Sequence, residues 1–253
     1  MKSDILKIRV DITSSKKVIK QIFHWIGAET KGKYICVSNV HMCMEAFDDS
    51  AFCNVVNNAD LVVPDGKPLV WAQKFSGHKN AAQVRGPELF IKLCEDAQNR
   101  AIPIGLYGGS KKSLVRLMEK LEIRFPSLDI TFADSPPFRE LTVEEENRYI
   151  KEINSSAVKI LFVGIGCPKQ EKWMAKHKKN LNCVMIGVGA AFDFFSGEKK
   201  HAPVWMQKIG MEWFFRLISD PKRLWKRYLK HNPRFVYYFL KQLLKNKNNR
   251  NIQ

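Results

Sequence analysis

The sequence predicts an α/β protein with a doubly wound, mostly parallel sheet (Rossmann-like) and a basic helical appendage at its C-terminal end. Apolar runs of strand length alternate along the chain with amphipathic stretches of helical length. The strand-like runs are continuously apolar, as expected for strands that are buried on both faces of a parallel sheet. Beyond about residue 200 this alternation stops, and basic and aromatic residues become frequent. We therefore predict an α/β domain over 1–200 and a helical appendage over 201–253.

Six stretches are predicted to form strands and six to form helices. The predicted strands are 34–39, 59–65, 102–109, 128–133, 159–166 and 183–193. The predicted helices are 41–58, 67–76, 87–100, 111–125, 143–155 and 168–180. Ligands of such sheets bind beyond the carboxyl ends of the strands. The residues that end the strands are therefore the first candidates for a site.

The composition limits the classes of function. The chain has 253 residues, of which 45% are apolar, which is enough to bury a large core and excludes a disordered chain. Its 42 Lys+Arg residues against 25 Asp+Glu residues give a formal charge of +17, which favours partners that carry phosphate groups. The six cysteines are scattered and form no C-x-x-C pair, as is typical of reduced cytosolic thiols. No signal peptide is apparent, and no apolar stretch approaches the ~18 residues of a membrane span, so we expect a cytoplasmic protein.

The stretch "VVPDGKPLVW" (62–71) places Asp65 between a predicted strand and a predicted helix. Pro64 and Gly66 account for a sharp exit from the strand, so Asp65 is interpreted either as a turn former or as a carboxylate held at the sheet edge for chemistry. Ser38 and Asn39 end the preceding predicted strand, and parallel strands bring such ends to the same edge.

Two further turns follow predicted strands. In "LYGGS" (106–110), Gly108 and Gly109 permit a close backbone approach and Ser110 can cap the next helix, an arrangement that suits a diphosphate. A capped connection without a ligand explains the same residues.

The second turn, "GIGCPKQEKWM" (164–174), is not a dinucleotide fingerprint, because Lys169 stands where a third glycine is needed. Gly166 ends the strand, and Gln170 and Glu171 lie on the first turn of the helix. Glutamine suits a base edge or sugar hydroxyls, whereas Glu171 can simply complement the helix dipole.

Asp193 follows the last predicted strand in "GVGAAFDFFSGEKKHAP" (187–203). It is interpreted either as an acceptor for a ribose or sugar hydroxyl or as the partner of Lys199 or Lys200.

The segment "PKRLWKRYLKHNP" (221–233) separates into two faces on a helical wheel. Its apolar arc contains Leu224, Trp225, Tyr228 and Leu229, and its basic arc contains Lys222, Arg223, Lys226, Arg227 and Lys230. This pattern is typical of helices that lie in a membrane interface. Packing on the core and binding of single-stranded nucleic acid are the alternatives, but the aromatic residues stay with the leucines, which favours the membrane. The polar end "NKNNRNIQ" (246–253) is predicted to be frayed.

Several stretches, taken together and in order, resemble the WecG/TagA/CpsF family of bacterial glycosyltransferases. They are "ADLVVPDGKPLVW", "VRGPEL", "LYGGS", "GIGCPKQEKWM", "GVGAAFDFFSGEKKHAPVWMQKIGMEWFFRL" and "DPKRLWKRYL". The resemblance implies inverting transfer from a UDP-sugar to a polyprenyl-diphosphate-linked glycan, in cell-surface polysaccharide or teichoic acid synthesis. It implies no metal or other cofactor, an appendage that completes the active site at the inner face of the membrane, and oligomers in some members.

The resemblance also assigns roles to residues. Asp65 takes the position of the general base. The implied substrate-binding positions are Ser38, Asn39, Gly66, Arg85, Gly86, Gly108, Gly109, Ser110, Gly166, Gln170, Glu171, Asp193, Arg216, Arg223 and Arg227. Gln83 departs from the family, which often carries an arginine there. This leaves the donor sugar open unless Arg85 replaces the missing cation.

Three classes of function are thus compared. A nucleotide-binding oxidoreductase is disfavoured by the incomplete glycine fingerprint, and a basic module for RNA or membrane leaves the polar strand ends unexplained. A glycosyltransferase accounts for both. The expected partners are a UDP-sugar, a polyprenyl-diphosphate-linked acceptor, an anionic membrane surface and a possible second copy of the chain, and nucleic acid is not among them.

Overall fold

The computed structural model describes the backbone of residues 1–250 and the side chains of residues 1–246. Its strands are β1 (Lys2–Ile5), β2 (Ile8–Asp11), β3 (Lys33–Ser38), β4 (Leu61–Pro64), β5 (Ile104–Gly108), β6 (Ile130–Asp134), β7 (Ile160–Gly164) and β8 (Val184–Gly187). Its helices are α1 (Ser15–Gly27), α2 (Val40–Asp48), α3 (Ser50–Asn57), α4 (Lys67–Phe75), α5 (Gly86–Asn99), α6 (Lys111–Arg124), α7 (Val143–Ser155), α8 (Lys169–His177), α9 (Ala191–Ser196), α10 (Val204–Lys208), α11 (Glu212–Ser219) and α12 (Pro221–Arg250). The polar end for which fraying is predicted lies partly outside the described residues, at 251–253, and α12 extends into it as far as Arg250.

Strands β3 to β8 form one parallel sheet in the order β4-β3-β8-β7-β5-β6. Successive side chains of its central strands enter opposite cores. On β7, for example, Leu161 and Val163 join one core, whereas Ile160 and Phe162 join the other. Burial on both faces explains why these strands are continuously apolar in sequence. The predicted doubly wound α/β fold is confirmed.

The largest differences from the predicted elements occur in two places. The last predicted strand, 183–193, stops at Gly187, because the chain turns at Gly189, whose φ is +54°, and then forms α9. The predicted helix 41–58 is divided into α2 and α3 at Asp49, whose carboxylate caps α3 by accepting a hydrogen bond of 3.1 Å from the backbone N–H of Phe52.

The N-terminal hairpin of β1 and β2 was not predicted from the sequence. It is antiparallel and lies beside β4, the edge strand of the main sheet. An oxygen of the Asp11 carboxylate accepts a hydrogen bond of 2.9 Å from the backbone N–H of Val62. The hairpin thereby satisfies part of an edge that otherwise exposes unpaired backbone groups.

The C-terminal segment, α10 to α12, packs on the α/β domain. Phe235 and Phe239 of α12 are buried in the same core as β3 and α2. Arg234 of α12 forms a two-pronged ion pair with Asp48 of α2, with N–O distances of 2.6 and 2.9 Å. These contacts hold α12 along one side of the sheet, while the domain boundary near residue 200 stays a prediction. Over the described residues, no helix combines the length and the apolar character needed to cross a membrane.

Candidate active site

Two clefts meet at the carboxyl ends of β3 and β4. The polar cleft has a volume of about 560 Å³ and lies over the ends of β3, β7 and β8. The apolar cleft has a volume of about 910 Å³ and runs between α4 and α12. Both are bounded by α11 and α12, and six residues line both of them: Asn39, His41, Asp65, Arg216, Arg227 and Tyr228. We refer to these six residues as the junction.

Asp65 lies at the junction, immediately after β4. Its backbone N–H donates a hydrogen bond of 2.8 Å to the carbonyl of Ser38, which ties the ends of the two neighbouring strands together. Its carboxylate oxygen Oδ1 accepts a hydrogen bond of 3.0 Å from the backbone N–H of Gly86, the first residue of α5. Burial raises the pKa of Asp65 to about 6, although the positive charge of Arg216 and the Gly86 hydrogen bond oppose the rise. A carboxylate with this pKa is ionised at neutral pH and is well matched to accept a proton there.

Asn39 and His41 come from the turn between β3 and α2. The Asn39 side chain caps α2, with Oδ1 accepting hydrogen bonds from the backbone N–H groups of His41 (3.0 Å) and Met42 (3.3 Å). Burial and the positive charge of Arg227 lower the pKa of His41 to about 3, so its imidazole is neutral at physiological pH. The side-chain oxygen of Asn39 is therefore occupied by the cap of α2, and its side-chain amide nitrogen is left to donate a hydrogen bond to a ligand in the clefts.

Gln170 and Glu171 form a buried pair under the polar cleft. Nε2 of Gln170 donates a hydrogen bond of 2.7 Å to a carboxylate oxygen of Glu171, which is fully buried. Burial raises the pKa of Glu171 to about 7. Gln170 lines the cleft, and its Oε1 is buried without a hydrogen-bond partner among the described residues. A buried amide oxygen without a partner costs free energy, so this atom is a ready acceptor for a ligand hydroxyl or N–H.

Three arginines of the C-terminal segment line the polar cleft, which is what the resemblance implies. Arg216 of α11 pairs with Glu212 and lies over the ring of Phe194 at 4.7 Å. Arg227 of α12 is largely desolvated, which lowers its pKa, and its Nε has no partner among the described residues. Arg223 is bound to Asp220 at 2.6 Å at the cleft rim. A phosphate group in the cleft would satisfy these donors.

The structure brings about half of the predicted site residues into the clefts. Those that line one or both clefts are Asn39, Asp65, Gly66, Gly86, Gly166, Gln170, Arg216, Arg223 and Arg227. Those outside both clefts are Ser38, Arg85, Gly108, Gly109, Ser110, Glu171 and Asp193. Ser38 is fully buried behind the junction.

The turn at Gly108, Gly109 and Ser110 has a structural role. A Cβ atom on Gly108 would lie 2.5 Å from the backbone of Gly164, so only glycine allows the two strand ends to approach. The Ser110 hydroxyl caps α6 by accepting a hydrogen bond of 3.0 Å from the N–H of Ser113. Helix α9 packs against α6 beside this turn. The structure therefore places the turn away from the clefts, in agreement with the capped connection that the sequence left open.

Arg85 and Asp193 lie outside both clefts and form ion pairs with other side chains. Arg85 binds Glu88 at 2.7 Å and Glu212 at 2.9 Å, and thereby joins α5 to α11. The positive charge of Arg85 also lowers the pKa of Asp65, and the Gln83 side chain donates a hydrogen bond to the backbone carbonyl of Asp65. Asp193 lies in α9 and not at a strand end, and it pairs with Lys199, one of the two alternatives from the sequence.

The helical-wheel interpretation of 221–233 is only partly right. Leu224, assigned to the membrane-facing arc, is buried, and Arg227, assigned to the solvated arc, turns inward to the junction. Trp225 and Leu229 are exposed as predicted. The wheel gives the angular position of each residue but not which arc packs on the sheet.

The sequence analysis missed several residues of the clefts. His41 begins the predicted helix 41–58 and lies two residues after Asn39, so the rule that ligands bind at strand ends could have predicted it. Tyr228 was assigned only to the apolar arc. Trp71 and Phe75 of α4 line the apolar cleft, and no local pattern shows that α12 would lie opposite them.

Among the described residues, one group has ligand atoms close enough to hold a metal ion. His41, Glu45 and His231 have such atoms within 4.8 Å of one another. Burial is the main cause that lowers the pKa values of both histidines, and the positive charges of Arg227 and Lys230 lower them further. Neutral imidazoles and the Glu45 carboxylate are metal-ligand types, and the two nearby cations oppose the binding of a divalent ion.

Comparisons with known proteins show which proteins this chain is similar to. Residues 3–249 match the model of the glycosyl transferase WecG/TagA/CpsF family. Three similar proteins are each named N-acetylglucosaminyldiphosphoundecaprenol N-acetyl-beta-D-mannosaminyltransferase. The Bacillus subtilis (strain 168) protein is 30% identical over 87% of this chain and 83% of its own length. The Bacillus spizizenii protein is 28% identical over 84% and 80%, and the Staphylococcus aureus (strain MW2) protein is 29% identical over 95% and 92%.

Proposed function

Because this chain belongs to the WecG/TagA/CpsF family of glycosyltransferases, we propose that it moves a hexose or N-acetylhexosamine from a UDP-sugar to a polyprenyl-diphosphate-linked saccharide. N-acetylmannosamine is the first donor to test and N-acetylglucosaminyl-diphosphoundecaprenol the first acceptor, since the Bacillus and Staphylococcus relatives are named for that transfer. Cell-surface polysaccharide or teichoic acid synthesis is the process that the product would enter.

The observation that carries this proposal is the position of Asp65 where the polar and apolar clefts meet. In the proposed reaction, an acceptor hydroxyl attacks the anomeric carbon of the donor sugar, and the bond from that carbon to the diphosphate oxygen breaks. The hydroxyl proton passes to the Asp65 carboxylate. UDP leaves with the electron pair of the broken bond, and attack from the opposite side inverts the anomeric carbon.

Arginines stabilise the leaving diphosphate in this mechanism. Arg216 and Arg227 lie at the junction and Arg223 lies at the rim of the polar cleft, so all three can reach one diphosphate. Cations held in place before the reaction stabilise developing charge without reorganisation. They take the part that a metal ion plays in other transferases, and we propose that no metal takes part here.

Gln170 is proposed to bind the donor. Its Oε1 accepts a hydrogen bond from a sugar hydroxyl or from the uracil N–H, and its Nε2 is fixed by Glu171. Glu171 is thus a positioning residue. The enzyme is proposed to act while bound peripherally to the inner face of the membrane, where the exposed side chains of Trp205, Trp213 and Ile218 would enter the interface.

Replacement of Asp65 tests the assignment of the base. Asp65→Asn keeps the hydrogen bond from Gly86 but removes the proton acceptor, so we expect transfer to fall about 10²- to 10⁴-fold. Protection of the protein against thermal unfolding by UDP should persist in this variant. Asp193→Asn is the matched control, because Asp193 is a predicted site carboxylate that lies outside both clefts.

Transfer is measured by product mass with a panel of UDP-sugars, in the presence of excess chelator. Unchanged turnover by Asp65→Asn would reject Asp65 as the base. Loss of wild-type transfer on chelation, with recovery on addition of a divalent metal, would reject the metal-free mechanism. Protection by NAD in place of UDP would reject the transferase itself.

A further inference from the structure

We propose that the apolar cleft binds the polyprenyl chain of the acceptor, with its first isoprene units beside the junction. The proposal rests on the proposed function, since it specifies how that acceptor is held. It differs from membrane association, in which side chains enter the bilayer and no lipid chain enters the protein.

The walls of the cleft are two helix faces. Trp71 and Phe75 of α4 form one wall. The other wall is a stripe on α12 made of Leu229, Val236, Leu240 and Leu243, at the spacing of one helix face. From Leu229 to Leu243 this stripe is about 21 Å long, at ~1.5 Å per residue. The cleft is therefore an elongated groove along α12, which we refer to as the channel.

The lining side chains are exposed although they are apolar. Phe75 is 74% exposed, Leu229 69%, Val236 55% and Leu240 54%. Beneath them, Phe235 and Phe239 are buried in the core, so the channel floor is also apolar. Contiguous exposed apolar surface of this kind marks a binding site in proteins that are otherwise well packed.

The chemistry at the two ends of the channel selects the ligand. The inner end is the junction, where Asp65 is placed to receive a proton. Arg216 and Arg227 line both clefts, so their positive charge faces the acceptor diphosphate in the apolar cleft as well as the leaving diphosphate in the polar cleft. The outer end, around Leu240 and Leu243, is apolar. A ligand with an anionic diphosphate at one end and a long hydrocarbon chain at the other matches both ends.

Other occupants match only one end of the channel. A bilayer surface covers exposed residues but does not reach the buried floor at Phe235 and Phe239. A partner helix fills an apolar groove but places no anion on the apolar-cleft side of Arg216 and Arg227. The polyprenyl chain satisfies the floor, the walls and the charged end together.

The arrangement has a consequence for the reaction. The donor enters the polar cleft and the lipid-linked acceptor enters the apolar cleft, so the two substrates approach Asp65 from different sides. Inversion at the anomeric carbon requires the acceptor hydroxyl to lie opposite the leaving diphosphate. Separate clefts that share only the junction meet this requirement.

A pair of leucines on α12 provides the test. Leu240 lines the channel, whereas Leu244, one helical turn further on and 66% exposed, lies outside it. Each is replaced by glutamine, and both variants should fold because both sites are exposed. The probes are geranylgeranyl diphosphate and inorganic diphosphate, which share the charged group and differ in the chain. Their binding is measured by calorimetry in detergent-free buffer, below the concentration at which the lipid forms micelles.

We expect the wild-type protein to bind geranylgeranyl diphosphate at least tenfold more tightly than inorganic diphosphate. Leu240→Gln should weaken binding of the prenyl probe roughly fivefold, as for loss of one partly buried leucine. It should leave inorganic diphosphate binding and UDP protection unchanged, and Leu244→Gln should resemble the wild type. In transfer assays, Leu240→Gln should raise the KM of a long-chain acceptor but not that of a short-chain one.

Several outcomes would overturn the proposal. Equal affinity for the two probes would show that the chain is not recognised. Equal weakening by both leucine variants would assign this surface to general lipid contact. Chain-dependent binding without any transfer would support the channel while rejecting the proposed reaction, so the two failures are distinguishable.

Discussion

The polar and apolar clefts share six residues but are built from different parts of the fold. The polar cleft rests on strand ends and the turns that follow them, around Gly166, Gln170 and Gly189. The apolar cleft lies between the faces of α4 and α12 and reaches the sheet edge at the junction. The sheet thus holds the polar groups that chemistry requires, while paired helices provide a long apolar surface.

The difference between the two clefts explains how the Asp65 carboxylate can act where they meet. Asp65 is fixed by backbone hydrogen bonds to β3 and α5, which belong to the sheet and its helices. Burial raises its pKa, and the C-terminal segment acts on that pKa through two charges, since Arg216 lowers it and Glu212 raises it. The rigid sheet therefore sets the position of the base, and the C-terminal helices tune its protonation.

Among the predictions that bear on the comparison of the two clefts, the largest effect is expected from Arg227, one of the two arginines that line both. Arg227→Ala removes a desolvated cation beside the leaving diphosphate, so we expect kcat to fall about 10²- to 10³-fold. Arg234→Ala is the control, since Arg234 lies on the same helix and binds Asp48 away from the clefts. The measurement is steady-state transfer together with thermal unfolding. A fall in the melting temperature of Arg227→Ala that matches its loss of activity would contradict a direct role.

A second prediction concerns the polar cleft alone, through Glu171. Its pKa rises from the model-peptide value of 4.5 to about 7 on folding because it is buried. Between these pH values the folded state keeps a proton that the unfolded state releases. The free energy of unfolding therefore falls as the pH rises through this window, by up to about 3 kcal/mol.

Glu171→Gln should remove this contribution, so the variant loses less stability than the wild type between pH 4.5 and pH 7. Chemical unfolding at pH 5 and pH 8 measures the difference, with the exposed Glu119→Gln as control. The prenyl probe should bind the variant as it binds the wild type. An identical pH dependence in Glu171→Gln and wild type would show that Glu171 is ionised in the folded protein.

The sequence alone was sufficient to predict the parts of the fold and of the site that depend on local sequence patterns. Continuous apolar strands predicted the sheet, and the strand-end rule placed Asn39, Asp65, Gly166 and Gln170 at one edge. Asp193 was misplaced because the apolar pattern continues through Gly189 into α9, although the backbone turns there. Arg85 binds Glu212 of the C-terminal segment. The two residues are 127 positions apart, so no local sequence pattern predicts their contact.

The apolar cleft was beyond prediction for the same reason. Its two walls are separated by more than 140 positions in sequence, and each wall alone is an ordinary amphipathic helix. Only the packing of Phe235 and Phe239 on the core determines which stripe of α12 faces α4. The resemblance implied arginines near the donor, but the position of Arg227 between the two clefts required the fold.

The smallest predicted effect is a shift in pH dependence at the junction. If Asp65 is the base, kcat/KM should rise about tenfold per pH unit below pH 6 and level off above it, because the carboxylate must be ionised to accept a proton. Gln83 contacts the Asp65 backbone, and Gln83→Arg places a cation beside the carboxylate. An adjacent positive charge lowers a carboxyl pKa, so the acidic limb should move down by about one pH unit. Gln83→Leu, which adds no charge, should leave the limb in place, since the Gly86 hydrogen bond to Asp65 is retained. Movement of the limb in both variants would point to altered packing of the junction, whereas an unmoved limb in Gln83→Arg would assign the pH dependence to a group other than Asp65.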